Sequence, residues 1–208
     1  RMVLDLLSFP ELQSSRIVLM DIHAGNLART AQLARQLVAA KKLPATIVAT
    51  TDLTAALKGT RYVIVTWQVG GIAAYPPDVE IPRRYGLDQC VGDTHGPGGV
   101  FRFLRSWPAY MKLAAALRRH APEALVINYA NPMAMNCWGL NRVGIRTVGL
   151  CHSVQGTSRL LAEQAGVPFD ECAFKCFGIN HQAWFTEFTR RGRDIYPQIR
   201  RAMFRNFP

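Results

Sequence analysis

Apolar and polar residues along the chain follow two alternating patterns. Short, almost continuously apolar runs rich in β-branched residues predict strands of a parallel sheet whose two faces are both covered. Five such runs occupy residues 16–22, 45–52, 61–67, 124–132 and 146–152. Longer segments with apolar residues at helical spacing lie between them, at residues 24–42, 52–59, 98–122 and 136–144. This alternation predicts an α/β fold with a Rossmann-like, doubly wound and mostly parallel sheet.

The composition is that of one globular domain. The chain has 208 residues, of which 49% are hydrophobic, and no apolar run approaches the roughly 18 to 20 residues that cross a bilayer. We therefore predict neither a membrane partner nor a signal peptide. Five cysteines at irregular spacing form a poor disulfide framework and indicate a reducing, cytoplasmic location. We interpret Cys172 and Cys176 as core residues, although their spacing also suits one face of a helix.

The net charge of +11 raises the question of a nucleic-acid partner. Arginines are densest in the segment TRRGRDIYPQIRRAMFR near the C-terminus. No aromatic-basic RNA motif, zinc finger or basic DNA-binding helix accompanies them. We interpret the charge as a solvated basic face and predict no nucleic-acid partner.

Asp21 ends the first apolar run, where a Rossmann domain places the acid that binds the adenosine ribose. An aspartate at a strand end is also a common helix cap, and this residue alone does not decide between the two roles. The glycine-rich GxGxxG loop that should precede it is absent, and the chain opens instead on the helix-like segment MVLDLLSFPEL. We therefore expect the first strand and its phosphate-binding loop to be missing from this sequence.

Several strand ends carry polar side chains, and Cys151 and His181 are the most informative pair. A thiolate and a neutral imidazole suit a divalent metal ion and leave coordination positions open for a substrate. A buried cysteine and a hydrogen-bonded core histidine would explain the same residues. His152 could exchange a proton near neutral pH, or could simply face outward beside a buried neighbour. The segment GPGG frees backbone N–H groups at a helix start, or forms only a tight turn.

Four segments together resemble glycoside hydrolase family 4, and in particular its α-galactosidases. They are INYANPMAMN, VGLCHSVQGT, GINHQAWF and DTHGPGG. The resemblance covers essentially the whole chain and implies that it corresponds to about the N-terminal half of a family member. It further implies an enzyme that uses NAD and Mn²⁺, or a similar divalent metal, to hydrolyse an α-galactoside. The implied reaction is a cycle of oxidation, elimination, addition of water and reduction.

The resemblance also implies roles for individual residues. It assigns Cys151 and His181 to the metal ion, His152 to the general acid that assists the leaving group, and Asn131 to the substrate. On the nucleotide side it assigns Asp21, Thr66 and Gln68. Residues 1–150 would then form a partial NAD-binding domain, and residues 151–208 would begin the metal- and substrate-binding region. Because sugar-phosphate hydrolases of the family carry Asp or Asn in place of His152, an unphosphorylated sugar is expected.

Two other functions remain open from the sequence. A dehydrogenase of the lactate or malate type has a similar nucleotide domain and a catalytic histidine after its last strands, but it needs no metal. A non-catalytic remnant that binds a partner through its basic face would belong to another class altogether. For the complete protein we expect a homo-oligomer.

Overall fold

The computed structural model describes residues 2–89 and 94–206, which form eight α-helices and eight β-strands. The helices are α1 (Met2–Leu6), α2 (Ala24–Ala40), α3 (Leu53–Leu57), α4 (Pro76–Arg84), α5 (Gly96–His120), α6 (Met133–Arg142), α7 (Ser153–Gln164) and α8 (Tyr196–Asn206). The strands are β1 (Arg16–Met20), β2 (Thr46–Thr50), β3 (Tyr62–Val65), β4 (Leu125–Asn128), β5 (Thr147–Gly149), β6 (Cys172–Ile179), β7 (Gln182–Arg190) and β8 (Arg193–Asp194). Cys90 lies outside the described residues.

The five predicted strands are all present as β1 to β5, and the four predicted helices as α2, α3, α5 and α6. Each strand is shorter than the apolar run that predicted it. The run at residues 146–152, for example, contributes only Thr147–Gly149 to β5. The polar residues that end the apolar runs therefore lie in loops just beyond the strands, where ligands bind in open α/β sheets.

The chain divides into two compact units, Arg1–Val63 with Met111–Leu125, and Ile64–Tyr110 with Val126–Pro208. In the first unit, β1 and β2 pair in parallel from Arg16 opposite Thr46 to Met20 opposite Thr50. Helix α2 packs against both strands through a buried stripe. The stripe consists of Leu27, Ala31 and Ala34, whose spacing of four and three residues places them on one helical face.

In the second unit, β4 is the central strand of the order β3-β4-β5 and pairs in parallel with β5. Val126 and Asn128 of β4 are completely buried. Just beyond the strands, the Tyr129 N–H donates to Val65 O, and the Leu150 N–H donates to Asn128 O, both at 2.9 Å. These bonds tie together the loops that follow the three strands, which are the loops expected to carry ligand-binding residues.

The last part of the second unit is an antiparallel sheet of β6, β7 and β8, which the apolar pattern did not predict. Its buried face carries Phe174, Phe185 and Phe188, and the rings of Phe174 and Phe188 stack with centroids 5.7 Å apart. Helices α7 and α8 close the same core through Ala162, Ile199 and their neighbours. Phe185 and Phe188 are three residues apart on β7 and still share a face, because the pairing of β6 with β7 shifts between Lys175 and Cys176.

The interpretation of Cys172 and Cys176 is corrected in one respect. Both lie on strand β6, not on a helix, and both are only half-buried. Their spacing of four places them on one face of the strand because strand side chains alternate. The four described cysteines, Cys137, Cys151, Cys172 and Cys176, are free thiols.

The hairpin between β6 and β7 has the shortest kind of loop. Ile179 pairs with Gln182, so only Asn180 and His181 lie between the strands. Gly178 has a φ of +143°, and a Cβ atom there would lie 2.4 Å from Gln182 O and 2.5 Å from Ala183 Cα. Only glycine satisfies both conditions, so this residue fixes how closely the strands approach beside the loop.

No helix within residues 2–89 and 94–206 is long and apolar enough to cross a membrane.

Candidate active site at Cys151 and His181

Cys151 lies in the short loop between β5 and α7, two residues before the helix begins at Ser153. The Ser153 N–H donates to Cys151 Sγ at 3.4 Å, and Ser153 Oγ lies 3.1 Å from the same sulfur. Helix N-termini stabilise negative charge through their unpaired N–H groups and the helix dipole. The position therefore favours a thiolate.

Several groups act on the pKa of Cys151. Partial burial raises it, but this effect is outweighed by hydrogen bonds from the Ser153 side chain and backbone, the Asn180 side chain and the His152 backbone. The net result is a pKa below the ordinary value of a thiol. A thiolate is the form of cysteine that binds a metal ion.

His181 approaches Cys151 from the β6–β7 hairpin, thirty residues further along the chain. Its Nε2 atom lies 3.5 Å from Cys151 Sγ, and its Nδ1 atom lies 3.0 Å from Thr94 Oγ1. The backbone of His181 has a φ of +63°, in the left-handed region that non-glycine residues rarely adopt. The structure thus brings together the two residues that the sequence pointed to as a pair.

The geometry of this pair fits a shared divalent ion. Bond lengths of about 2.3 Å to sulfur and about 2.0 to 2.1 Å to nitrogen separate two ligand atoms by about 3.1 to 3.6 Å at ordinary coordination angles. The observed separation of 3.5 Å lies in that range. In the described part of the chain, no group of three or more His, Cys, Asp or Glu side chains could hold a metal. The described residues thus offer two ligands at this place, Cys151 and His181.

Asn180 adds a second sign that a ligand belongs here. Its side chain donates a hydrogen bond to the Cys151 thiol, so its Nδ2 group is engaged. Its Oδ1 atom is buried and has no hydrogen-bond partner within the described residues. An unpaired buried acceptor is costly, and such atoms in native proteins commonly face a ligand or an ordered water.

His152 directly follows Cys151 and occupies the N-cap position of α7. Its side chain is exposed and makes no capping hydrogen bond to the helix. The alternation argument for an outward-facing residue does not apply, because His152 lies beyond the end of β5. An exposed imidazole one residue from the thiol can exchange protons with solvent or with a bound molecule.

Asn131 lies in the loop between β4 and α6 and is half-buried, and its peptide bond to Pro132 is cis. Buried amide groups hold the preceding residue in place. Asn128 Nδ2 and Asn136 Nδ2 both donate to Ala130 O, at 2.8 and 3.1 Å. Tyr110 supports this network, because its hydroxyl donates to Asn128 Oδ1 at 2.7 Å. Burial raises the pKa of Tyr110, which keeps the hydroxyl protonated.

The predicted nucleotide-side residues fall into two groups. Thr66 and Gln68 follow β3 in the second unit, and both are exposed. Gln68 Nε2 donates to Gly71 O at 3.0 Å, which closes the loop on itself. Asp21 belongs to the first unit, directly after β1, and its Oδ1 atom accepts from the His23 N–H at 2.8 Å.

These nucleotide-side contacts are compatible with NAD binding but do not require it. The His23 N–H engages one oxygen of the Asp21 carboxylate, and a carboxylate offers two oxygens that can accept from a ribose hydroxyl. The exposed Thr66 hydroxyl can likewise reach a ligand. The bond from the His23 N–H to Oδ1 closes a turn. The helix cap that the sequence left open for Asp21 is instead His23, whose Nδ1 atom accepts from the Asn26 N–H at 3.2 Å.

Three residues of the site were not singled out from the sequence: Thr94, Ser153 and Asn180. Each lies next to a residue or motif that was, in the segments DTHGPGG, CHS and GINH. Their place beside these motifs could thus have indicated them as site residues. Their roles, however, depend on contacts between segments far apart in sequence. Thr94 and His181, for example, are 87 residues apart.

Comparison with known proteins identifies relatives over nearly the whole chain. The family model described as "Family 4 glycosyl hydrolase" matches residues 1–167, and that of the "Family 4 glycosyl hydrolase C-terminal domain" matches residues 176–206. An alpha-galactosidase of Rhizobium meliloti is 43% identical over 193 residues, which are 92% of this chain and 39% of that protein.

Two solved structures share the fold. The lplD protein from Bacillus subtilis is 31% identical, with a TM-score of 0.87 over 98% of this chain and 48% of its own. A 6-phospho-alpha-glucosidase from gut microorganisms, solved in complex with NAD and Mn²⁺, is 25% identical, with a TM-score of 0.83 over 97% of this chain and 47% of its own. The chain thus spans less than half the length of these relatives, and the α/β Rossmann-like fold predicted from the sequence is confirmed.

Proposed function

We propose that this chain, which belongs to family 4 of the glycosyl hydrolases, forms part of an α-galactosidase that requires NAD and a divalent metal ion such as Mn²⁺. The observation that carries the proposal is the approach of Cys151 Sγ and His181 Nε2 to 3.5 Å. The likeness to the Rhizobium meliloti alpha-galactosidase supports the choice of sugar. In this proposal residues 1–150 contribute mainly to nucleotide binding, and residues 151–208 begin the metal- and substrate-binding region.

Cys151 and His181 would hold the metal ion, because together they offer a stabilised thiolate and an imidazole nitrogen. When bound, NAD accepts a hydride from C3 of the sugar, and the metal ion acts as a Lewis acid toward the sugar oxygens. The residues of the chain then perform the binding and proton-transfer steps. Asn180 supports the thiolate, and its unpaired Oδ1 atom can accept a hydrogen bond from a bound sugar or water.

His152 would donate a proton to the glycosidic oxygen as the aglycone leaves. Its exposed imidazole follows the thiol that would hold the metal, and histidine is the side chain that most often acts as a general acid or base. Asn131 would hydrogen-bond the sugar from a loop that the Asn128 and Asn136 amides hold in place. Asp21, Thr66 and Gln68 would bind the nucleotide. The base that removes the C2 proton is not assigned to a residue of this chain.

The proposed cycle makes a labelling prediction. When the complete enzyme hydrolyses an α-galactoside in heavy water with NAD and Mn²⁺, the galactose formed should carry deuterium at C2, because the C2 proton is removed and later replaced. Mass spectrometry and NMR of the product would measure the label. Free galactose incubated separately with the same enzyme, NAD and Mn²⁺ in heavy water should remain unlabelled if the exchange requires hydrolysis. A hydrolysis product without deuterium at C2 would exclude the cycle.

A second measurement separates this function from that of a metal-independent dehydrogenase. Chelation should abolish cleavage of the α-galactoside, and added Mn²⁺ should restore it. Oxidation of a 2-hydroxy acid by NAD that survives chelation would instead identify a dehydrogenase. Comparison of α-galactoside with its 6-phosphate tests the substrate class, since His152 predicts the higher kcat/KM for the unphosphorylated sugar.

A further inference from the structure

Thr94 contacts the imidazole of His181 on the side opposite Cys151. Thr94 is only 2% exposed, and its Oγ1 atom lies 3.0 Å from His181 Nδ1. The other ring nitrogen, Nε2, faces Cys151 Sγ at 3.5 Å. The two nitrogens of one ring are therefore engaged by two different residues, and one of these residues is buried.

The first turn of α5 determines where Thr94 lies. A Cβ atom on Gly99 would lie 2.8 Å from the Thr94 carbonyl carbon and 2.9 Å from its oxygen. Because these are backbone atoms, they could not move aside as the end of a flexible side chain can. The Gly99 N–H also donates to His95 O at 3.1 Å, which closes the turn. The glycine-rich segment GPGG thus has a packing role: it lets the chain pass close to α5 and present the Thr94 hydroxyl.

The chemistry of imidazole links the position of its proton to metal binding. A neutral ring has one N–H donor and one lone pair, and a metal ion binds the nitrogen with the lone pair. The Thr94 hydroxyl can donate to Nδ1 or accept from Nδ1–H, and the second arrangement is the one that leaves the lone pair on Nε2 for an ion beside Cys151. Metal-binding histidines usually have such a partner on their second nitrogen, which fixes the tautomer and the ring orientation.

We infer that Thr94 is a positioning residue for His181: its hydroxyl accepts from Nδ1–H while Nε2 binds a divalent ion beside Cys151 Sγ. The inference rests on the proposed function, since it takes His181 as a metal ligand. The left-handed backbone of His181 sets the direction in which its side chain leaves the hairpin, and the hydrogen bond with the Thr94 hydroxyl sets the orientation of the ring. The metal site then depends on a buried residue that touches neither the ion nor the substrate.

The test compares Thr94→Val, which removes the hydroxyl at nearly constant shape, with Thr94→Ser, which keeps it. Removal of such a supporting hydrogen bond lowers metal affinity by about 10- to 100-fold. We expect a loss of Mn²⁺ affinity in this range for Thr94→Val and a value close to wild type for Thr94→Ser. ¹H–¹⁵N NMR spectra of the protein loaded with Zn²⁺, a diamagnetic d¹⁰ ion, report the His181 Nδ1–H proton directly. This proton should be hydrogen-bonded and slow to exchange with water in the wild type and in Thr94→Ser, but fast to exchange in Thr94→Val.

Gly99→Ala provides an independent variant that leaves the hydroxyl in place but displaces the Thr94 backbone. It should also weaken Mn²⁺ binding and speed the exchange of the His181 Nδ1–H proton in the Zn²⁺-loaded protein. Gly156→Ala is the matched control, since Gly156 lies in α7 with no atom within 4 Å of an added Cβ. It should leave both measurements unchanged.

Different results overturn the inference and the proposed function. If Thr94→Val keeps wild-type Mn²⁺ affinity and a slowly exchanging Nδ1–H proton, the inference is wrong while the metal site stands. If a Cys151→Ser, His181→Ala variant binds Mn²⁺ as the wild type does, the proposed metal site is wrong.

Discussion

Two clusters of polar side chains in the second unit differ in how many of their hydrogen-bonding atoms have a partner within the described residues. Asp78 is 1% exposed, and both of its carboxylate oxygens are paired with Arg105, at 2.8 and 2.5 Å. Arg105 Nε also donates to Val69 O at 3.3 Å, in the loop that carries Gln68. At the Cys151 site, by contrast, Asn180 Oδ1 is buried and has no partner among residues 2–89 and 94–206, and Cys151 Sγ faces His181 Nε2 at a separation typical of two metal ligands.

The contrast separates a structural polar cluster from one suited to a ligand. Both clusters contain groups that are costly to bury, so each must have partners for those groups. In the first cluster both carboxylate oxygens of Asp78 accept from Arg105. These hydrogen bonds are the main reason why the pKa of Arg105 is raised. The Cys151 site has a buried acceptor, Asn180 Oδ1, that no residue in the described part of the chain engages. Removing a residue should therefore affect stability in the first cluster and ligand binding in the second.

The largest expected effect is on metal binding. A Cys151→Ser, His181→Ala variant loses both proposed protein ligands, so its Mn²⁺ affinity should fall by more than about 100-fold, beyond the loss expected for a supporting residue. Elemental analysis after dialysis and direct Mn²⁺ titration would measure it. Cys172→Ser makes the same atomic change on β6 and serves as the control. An unchanged metal content in the double variant would remove the basis for the contrast.

The second effect concerns stability. Arg105→Met should lower the free energy of unfolding by about 3 kcal/mol, because it leaves the Asp78 carboxylate buried without its partner. Urea denaturation would measure this loss, and Mn²⁺ affinity should change little. Arg83→Met is the matched control, since the Arg83–Asp88 pair is exposed at 58% and 80% and should contribute little. Equal stability losses in the two variants would show that burial does not set the contribution of the pair.

The smallest effect comes from an ion pair at the surface of the β6–β7 sheet. Hydrogen bonds from Arg190, at 2.7 Å, and from Arg191 hold the pKa of Glu171 below its ordinary value. Since the folded-state pKa is lowered, the stabilisation is present at neutral pH and is lost as the pH falls through that folded-state pKa. By urea denaturation, the free energy of unfolding of wild type should be slightly larger than that of Glu171→Gln at pH 7, and this difference should vanish in acid. A difference that grows in acid would contradict a stabilising role of the Glu171 ion pairs.

The apolar pattern predicted the parallel strands because their buried runs are continuous. It missed α4 because this helix contains Pro76, Pro77 and Pro82, which mark a break in most sequences. It missed α7 because SVQGTSRLLAEQ has a mostly polar surface. The antiparallel sheet was missed for another reason: the shift between Lys175 and Cys176 interrupts the alternation that would have identified it.

The candidate site was predictable only in part. Resemblance to a family pointed to Cys151 and His181, and the structure brings these two residues together. The contribution of Thr94 could not be predicted, since no local pattern indicates that a threonine contacts a side chain 87 positions away. The supporting amides of Asn128 and Asn136 are equally invisible in sequence, because their common acceptor is a backbone carbonyl, Ala130 O.

Gly178 has a consequence for how substitutions in this chain would be read. It lies two residues before Asn180, and any side chain there would meet the backbone of Gln182 and Ala183. A saturation mutagenesis screen scored by activity alone would thus rank Gly178 beside Cys151 and His181. Its intolerance would come from lack of space, not from chemistry. A screen that also scores protein abundance would distinguish the two, since a clash at the hairpin depletes the folded protein whereas loss of a ligand-binding side chain leaves it in place.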